Sequence, residues 1–375
     1  MRRVLFISSS RADYGLLREV ILQTQKLNKE TYLLVTGSHL SKDYGYTINE
    51  IKRDKIKNII RKKFLEKKFK DKDIIGYFNK SMKITSEVIL KIKPDCIVIL
   101  GDRYELLASS ISAMICGVPI VHIHGGEITK GAYDDSIRHA ISKLSYLHFP
   151  VHDKYKNRLI QMGENPKMVY NYGGLGAYSI SKQLFFTQLE LEKILNIKFK
   201  KKFILVTFHP VTLEKNQVKH QIRNLINFLD NLDNVSIIIT SPNIDTDSDI
   251  LKKEILKFVK LRKNVFFFNS LGSQIYLSLM KLSFLVIGNS SSGVLETPSF
   301  GVRTINIGSR QEGRITPSNV VNCDYSFNSI NRAFKKIMKK KKQKSNIFFR
   351  KNTPAKIAKK ILTFNLELKK DFYDL

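Results

Sequence analysis

Tryptophan is absent from this 375-residue chain, and cysteine occurs three times. Cys96, Cys116 and Cys323 are scattered, two of them in apolar runs, which excludes a disulfide framework and a zinc motif. The cytoplasm is the compartment such cysteine usage implies. No run of eighteen apolar residues exists, so no membrane-spanning helix is expected and no membrane partner. The opening "MRRVLFISSSRADYG" has basic residues and a short apolar run, but "VLFI" is too short for a leader and reads as a first buried strand.

Acid is also scarce: 33 Asp and Glu stand against 64 Lys and Arg, a formal net charge of +31. Of those basic residues 48 are lysines, thickened only in "IRKKFLEKKFKDKD", "KFKKKF" and "KKIMKKKKQK". Nucleic-acid grooves combine clustered basic residues with stacking aromatics or a recognised module, and no module is present. A solvated lysine-rich surface follows, with nucleic acid not expected as a partner. Such a surface still draws anionic small molecules.

What the chain has in quantity is alternation. Short β-branched or aromatic runs at 4–8, 31–37, 95–101, 119–124, 202–208, 235–240, 264–269, 284–289 and 303–308 predict strands, separated by segments with apolar residues at helical spacing. Apolar runs that do not alternate indicate strands covered on both faces of a parallel sheet. Repeated strand–helix alternation means an α/β fold. The Gly- and Ser-rich "NYGGLGAYSISKQ" (171–183) divides the pattern. Two Rossmann-like domains are predicted, 1–180 and 190–350, with a closing tail helix at 351–375 and a ligand cleft between the domains.

Open parallel sheets bind ligands at the carboxyl ends of their strands. Chemistry-bearing residues collect there: Arg11 and Asp13, then Asp102 and Arg103, His124 with Glu127, His209, the run "SPNID", "NSSSG" and "SRQEGR". Seven polar strand ends on one rim point to an enzyme. In "FLVIGNSSSGVLETPSFG" a buried strand, a Ser/Gly turn and a helix make an anion site, with Ser290, Ser291 and Ser292 facing a phosphate. Glu296, four residues after Ser292, falls one turn up the same helix face, where it would accept bonds from nucleotide sugar hydroxyls. The same stretch also reads as an ordinary Ser-capped helix, and spacing alone does not choose. Neither GxGxxG nor GxxxxGK[ST] is present.

The stretch "HIHGGEITKGAYDDSIRHA" (122–140) packs His122, His124, Glu127, Asp134, Asp135, Arg138 and His139 together. From Asp134 onward Ile137, Ile141, Leu144 and Leu147 share one helical face, which puts the two aspartates in a first turn that favours negative charge. Arg138 lies four residues after Asp134, the spacing of a structural ion pair. His122 falls inside a strand rather than at its mouth, so a His122–His124 metal pair is not expected. What remains is an acid–base site. His39, His148, His152 and His220 read as structural or solvated.

Taken in order, "SRADYG", "VTGSHLSKDYGYT", "GDRYE", "HIHGGE" with "DDSIRH", "FHPVT", "PNID", "GNSSSGVLE" and "INIGSRQEGR" resemble the hydrolysing UDP-N-acetylglucosamine 2-epimerases of sialic acid and related nonulosonate synthesis. The pieces span residues 4 to 314. The resemblance implies a GT-B-like pair of Rossmann domains, a UDP-sugar substrate, no cofactor or metal, and a homodimer or homotetramer. It also implies a reaction: the C2 proton is removed as UDP leaves C1, a glycal forms, and water adds back to release N-acetylmannosamine. By motif, Asp102 and Asp134 take the family's essential carboxylates, and His209 its histidine of the second domain. Arg138 takes the arginine after the Asp pair. Ser290, Ser291, Glu296 and Arg310 take UDP-binding positions, Asn243 of "PNID" joins the substrate-binding set, and Arg11 and Arg103 lie on the first-domain rim. Several relatives carry glutamate where this chain has His124; either His124 or Glu127 assumes that acid–base role. The alternative substrate is the UDP-linked N,N'-diacetylbacillosamine on the way to legionaminic acid. A GT-B glycosyltransferase, a non-hydrolysing epimerase and a basic nucleic-acid-binding protein are the rival readings.

Overall fold

Every residue of β1 (Val4–Ser8) and of β4 (Cys96–Leu100) is buried, as a strand covered by helices on both faces requires. With β2 (Thr31–Val35), β3 (Asn58–Arg61), β5 (Ile120–Ile123) and β6 (Leu147–Phe149) they form a six-stranded sheet ordered β3-β2-β1-β4-β5-β6, parallel throughout. The second sheet is built from β7 (Phe203–Thr207), β8 (Ser236–Thr240), β9 (Val265–Phe268), β10 (Leu285–Gly288), β11 (Thr304–Ile307) and β12 (Val320–Cys323). It runs β12-β11-β10-β7-β8-β9, so the first, middle strand of each sheet has its second strand on one side and its fourth on the other. The order reverses between β1 and β4, and between β7 and β10. Those switch points are where open α/β sheets place their ligands.

The computed structural model describes residues 1–41, 46–63, 74–130, 133–211, 214, 216–242, 247–341 and 343–375. They fall into two units: Met1–Glu127, Asp134–Ser179 and Phe348–Leu375 make the first, Ile128–Tyr133 and Ile180–Ile347 the second. In unit 1 the helices are α1 (Arg11–Leu27), α2 (Ile48–Arg53), α3 (Ile74–Ile92), α4 (Tyr104–Ile115), α5 (Asp134–Leu144) and α6 (Asp153–Gln161). Next come α7 (Leu175–Lys182) and α8 (Gln188–Leu195). The second sheet carries α9 (Val218–Asp230), α10 (Ser248–Leu261), α11 (Gly272–Leu282), α12 (Ser292–Leu295) and α13 (Phe327–Met338), and α14 (Thr353–Thr363) closes the chain on unit 1. Among the described residues no helix is long and apolar enough to cross a membrane.

All nine predicted strands are present, with ends one or two residues shorter where the chain turns into its loop. Three strands lay outside the prediction, β3, β6 and β12, and each is the edge of its sheet. These edge strands have three or four residues each, so none writes a long apolar run. One expectation needs correction: Leu147 is not on the apolar face of α5. That helix stops at Leu144, and Leu147 opens β6, where it pairs with Val121 of β5.

The first core gathers Val4, Phe6, Leu17, Ile21, Val98 and Val121 with Ile357 and Ile361 of α14, all buried. Each such side chain contributes about 1.5–3 kcal/mol on leaving water. The tail beyond α14 is also fixed. Lys370 Nζ donates to the carbonyls of Lys143 (2.7 Å) and Ser145 (2.6 Å), in the last turn of α5 and just past it, where a cation opposes the helix dipole. The same ammonium meets Glu164 Oε2 at 2.6 Å, and His148 Nε2 meets that oxygen at 2.8 Å, so a carboxylate only 1% exposed is compensated from two sides.

Candidate active site

At the switch point of the first sheet, β1 leads into α1 through Ser10, whose hydroxyl accepts the Asp13 N–H while the Asp13 carboxylate accepts the Ser10 N–H. This capping box starts α1 at Arg11, whose guanidinium lies 3.5 Å from Glu50. His39 is buried beside it, with Nε2 2.9 Å from Ser8 Oγ and Nδ1 2.7 Å from Thr47 Oγ1, a structural role as read. Beyond β4, Gly101 turns the chain and Asp102 follows. Arg103, the N-cap residue of α4, turns its Nε to Glu105 at 2.9 Å, and that neighbouring carboxylate raises the already high affinity of the guanidinium for its proton.

Arg138 organises the rest. It is 2% exposed, and its Nε and Nη2 both donate to Asp102 Oδ2, the former at 2.9 Å. Its Nη1 donates to the Glu127 carbonyl at 3.0 Å and to Asp135 Oδ1 at 3.1 Å. Alongside the Asp134 spacing foreseen in the sequence, the guanidinium is at bonding distance to Asp135 and, across, to Asp102. The reason is helical geometry: Asp135 is i−3 from Arg138 on α5, and Asp102 is presented from β4 on the side the guanidinium faces. Burial works against the Arg138 charge, but Asp102, Glu127 and Asp135 outweigh it and hold the proton more firmly than usual. Asp134 opens α5, half-buried, in the first turn beside Asp135.

His122, read as a residue inside the strand, has a function the sequence hid. Its Nε2 lies 2.8 Å from the Gly101 carbonyl and its Nδ1 3.0 Å from Ser142 Oγ. A carbonyl only accepts, so Nε2 carries the proton and Nδ1 accepts from the serine. Burial pushes the imidazole down to about 3, and it stays neutral while pinning the turn that presents Asp102. The next strand end is strained. His124 sits at φ +68°, in the left-handed region that few residues other than glycine enter, and its Nδ1 is 3.6 Å from Glu127 Oε1. Gly126 between them, at φ +79°, could carry no Cβ, since one would meet the Tyr155 carbonyl at 2.5 Å. His139, one turn along α5, holds Nε2 3.6 Å from Asp135 Oδ2, and burial lowers its proton affinity. Thus Asp102, His124, Glu127, Asp135, Arg138 and His139 form one network.

The second sheet presents its own group. Asn289, fully buried just past β10, accepts the His209 N–H on Oδ1 (2.7 Å) and donates Nδ2 to the His209 carbonyl (2.8 Å). One amide thus staples the β7 and β10 loops together as a strand pair would. Arg310 Nη1 (3.2 Å) and Gln311 Nε2 (2.9 Å) donate to the Asn289 carbonyl, tying in the loop after β11. Gly288 is required where these strands close up, because a Cβ there would stand 2.0 Å from the Thr207 carbonyl. His209 is buried, and its pKa falls well below the ordinary value through burial and then the Arg310 charge, so the imidazole is neutral.

The serine turn departs from expectation in one respect: α12 has only four residues and Ser291 makes no capping bond, so Glu296 ends the helix rather than rising along it. Burial pushes the Glu296 carboxyl up to about 7. Ser290 Oγ accepts from Ser292 Oγ at 3.0 Å. Asn243 lies outside the described residues. Asn289, His122 (read only as a residue inside its strand) and Tyr276 are participants whose roles the sequence did not disclose. The first two are single buried polar residues inside or against apolar strands, and that oddity is their only signal.

Two doubly wound parallel sheets, one with carboxylates and imidazoles at its carboxyl rim, the other with serines, arginine and a neutral histidine, define a GT-B-like α/β protein. A family model described as UDP-N-acetylglucosamine 2-epimerase matches residues 22–362, and the chain belongs to that family. It is 40% identical over 344 residues, 90% of this chain and 88% of the other, to a GDP/UDP-N,N'-diacetylbacillosamine 2-epimerase (hydrolyzing) of Campylobacter jejuni. It is 34% identical, over 100% of this chain and 98% of the other, to polysialic acid biosynthesis protein P7 of Escherichia coli. Its fold is similar to that of the UDP-GlcNAc 2-epimerase from Neisseria meningitidis bound to UDP-GlcNAc, at 19% identity and a TM-score of 0.82, over 96% of this chain and 100% of that one.

Proposed function

We propose that the protein converts UDP-N-acetylglucosamine and water to N-acetylmannosamine and UDP. The observation that carries this reading is the His124–Glu127 couple, 3.6 Å apart, beside an Asp102 fixed by Arg138. Inverting C2 of a hexosamine needs a base for the C2 proton and, later, an acid for the other face. The C2–H electron pair becomes the C1=C2 bond of a glycal while the C1–O bond breaks and UDP departs. Water then returns a hydroxyl to C1 and a proton to C2. No electrons leave the substrate, so the reading invokes no cofactor.

In this scheme His124 and Glu127 exchange the C2 proton, and Asp102 and Asp134 are the carboxylates that manage the second proton and the water. Arg138 keeps Asp102 ionised and oriented. Arg11 and Arg103 face the sugar or phosphates from the β1 and β4 ends. Ser290, Ser291 and Arg310 stabilise the charge that develops on the diphosphate, and neutral His209 donates a hydrogen bond to it. Glu296 and Asn243 take the nucleoside. Localisation in the cytoplasm and assembly as a homodimer or homotetramer belong to the same reading; sedimentation checks the second.

A second reading, the same reaction on UDP-N,N'-diacetylbacillosamine, is favoured by the 40% identity to the Campylobacter enzyme named for that sugar. An NMR time course in deuterated water, with no metal or nicotinamide added, tests both. UDP with C2-deuterated N-acetylmannosamine supports the first, and turnover of the diacetamido substrate alone supports the second. Silence on both overturns the proposal. Asp102→Asn should remove turnover and leave the fold intact.

A further inference from the structure

Five hydroxyl groups run in single file from the middle of the second sheet to its serine turn. Thr240 Oγ1 lies 2.8 Å from Thr207 Oγ1, which is 3.2 Å from Tyr276 Oη. Tyr276 Oη is 2.7 Å from Ser292 Oγ, and Ser292 Oγ is 3.0 Å from Ser290 Oγ. The two threonines are buried at the ends of β7 and β8, and the chain emerges through the half-buried Tyr276 and the serines. Each group has one proton, and four links consume four of the five, so one proton is left for a partner outside the file.

The ends are unequal. At the inner end, beyond the file itself, Thr240 Oγ1 reaches the Val206 carbonyl at 3.4 Å, a poor hydrogen bond. At the outer end Ser290 Oγ already accepts from Ser292 Oγ and, at 3.4 Å, from the Ser292 N–H, so its own proton turns either back to the nearby Tyr276 hydroxyl or outward to a bound acceptor. An anion at the turn selects the polarity in which every hydroxyl donates toward it, and each link then strengthens the next.

We propose that Tyr276 is a positioning residue: its hydroxyl joins the buried threonines to Ser292 and Ser290, and so directs the Ser290 proton at a bound phosphate. The inference rests on the reading of this turn as a diphosphate site, and names a residue outside that reading. Burial keeps the phenol protonated, pushing it up to about 12. Phenylalanine at this position would keep the ring and break the file at its centre.

Calorimetric titration of the full-length protein with UDP, uridine and inorganic pyrophosphate tests this, for wild type, Tyr276→Phe, Ser290→Ala and the double variant, each first shown to melt normally. Loss of one link should weaken UDP and pyrophosphate about three- to tenfold in Tyr276→Phe and leave uridine within about twofold. The double variant should be no weaker than Ser290→Ala by more than about twofold, because both changes cut the same file. Unchanged UDP affinity in Tyr276→Phe, an equal loss for uridine, or additive losses in the double variant would each overturn the proposal. If pyrophosphate behaves as described and UDP does not bind, the hydroxyl file stands and the nucleotide reading falls. If the wild type binds neither, both fall.

Discussion

Replacing Asn289 by alanine removes the two bonds that join the β7 and β10 loops and spares the third attachment, because Arg310 and Gln311 reach the Asn289 main-chain carbonyl. Each lost bond to a buried peptide group costs about 1–3 kcal/mol. With partial relaxation the pair is worth about 2–4 kcal/mol of the stability of the second unit. The functional cost follows from geometry: His209 and Ser290 sit on either side of Asn289, and a displacement near 1 Å at such groups lowers kcat/KM roughly 10- to 100-fold. Asn289→Asp sharpens the test. It keeps the acceptor for the His209 N–H but sets a second oxygen against the His209 carbonyl in a fully buried site, so it should be no better than alanine. Urea unfolding gives the stability and UDP release gives the rate. An alanine variant within about 0.5 kcal/mol of wild type, turning over at a normal rate, would refute the stapling argument.

Three further outcomes are expected. Gly126→Ala places a methyl against the Tyr155 carbonyl at a positive φ, and should cost about 1–3 kcal/mol and most of the activity by moving His124 and Glu127, read by thermal melts and turnover. Lys370→Met keeps the stem but removes the donors to the α5 carbonyls; about 1–3 kcal/mol of unit 1 stability and amide protection confined to α5 should be lost, and unaltered exchange there would count against it. Glu296, raised to about 7 from 4.5, binds a proton in the folded chain that the unfolded chain has released, so it makes stability fall as pH rises from about 4.5 to 7. His122, lowered to about 3, acts oppositely: the unfolded chain gains the proton first, so stability falls as pH drops below about 6.5. Denaturant midpoints across pH 4–8 for wild type and Glu296→Gln separate them, the variant losing only the upper slope.

The legible part of this fold was its middle. Strands β1, β4, β7 and β10 are continuous apolar runs because both faces are covered, and they carry the switch points and hence the site. The edges β3, β6 and β12 were invisible because they are only three or four residues long and each carries a polar residue, so none writes an apolar run. Among the site groups, residues lying after a strand were readable as polar interruptions. The supporting ones were not: His122 matters because the Gly101 carbonyl of a neighbouring strand end lies opposite, Asn289 because His209 does. Arg138 shows the limit most plainly, since helical spacing named Asp134, while one of its carboxylates comes from 36 positions away.

The last stretch of chain, Phe348–Leu375, belongs to the unit that begins at Met1. Ile357 and Ile361 complete a core that otherwise consists of residues made early, and Thr353 Oγ1 donates to the Tyr172 carbonyl. On the ribosome the first sheet therefore waits, with one side of its core uncovered, through the synthesis of the entire second sheet. Expression of residues 1–180 alone would yield that waiting form rather than a domain. By the same route, a truncation before Ile357 injures the amino-terminal sheet.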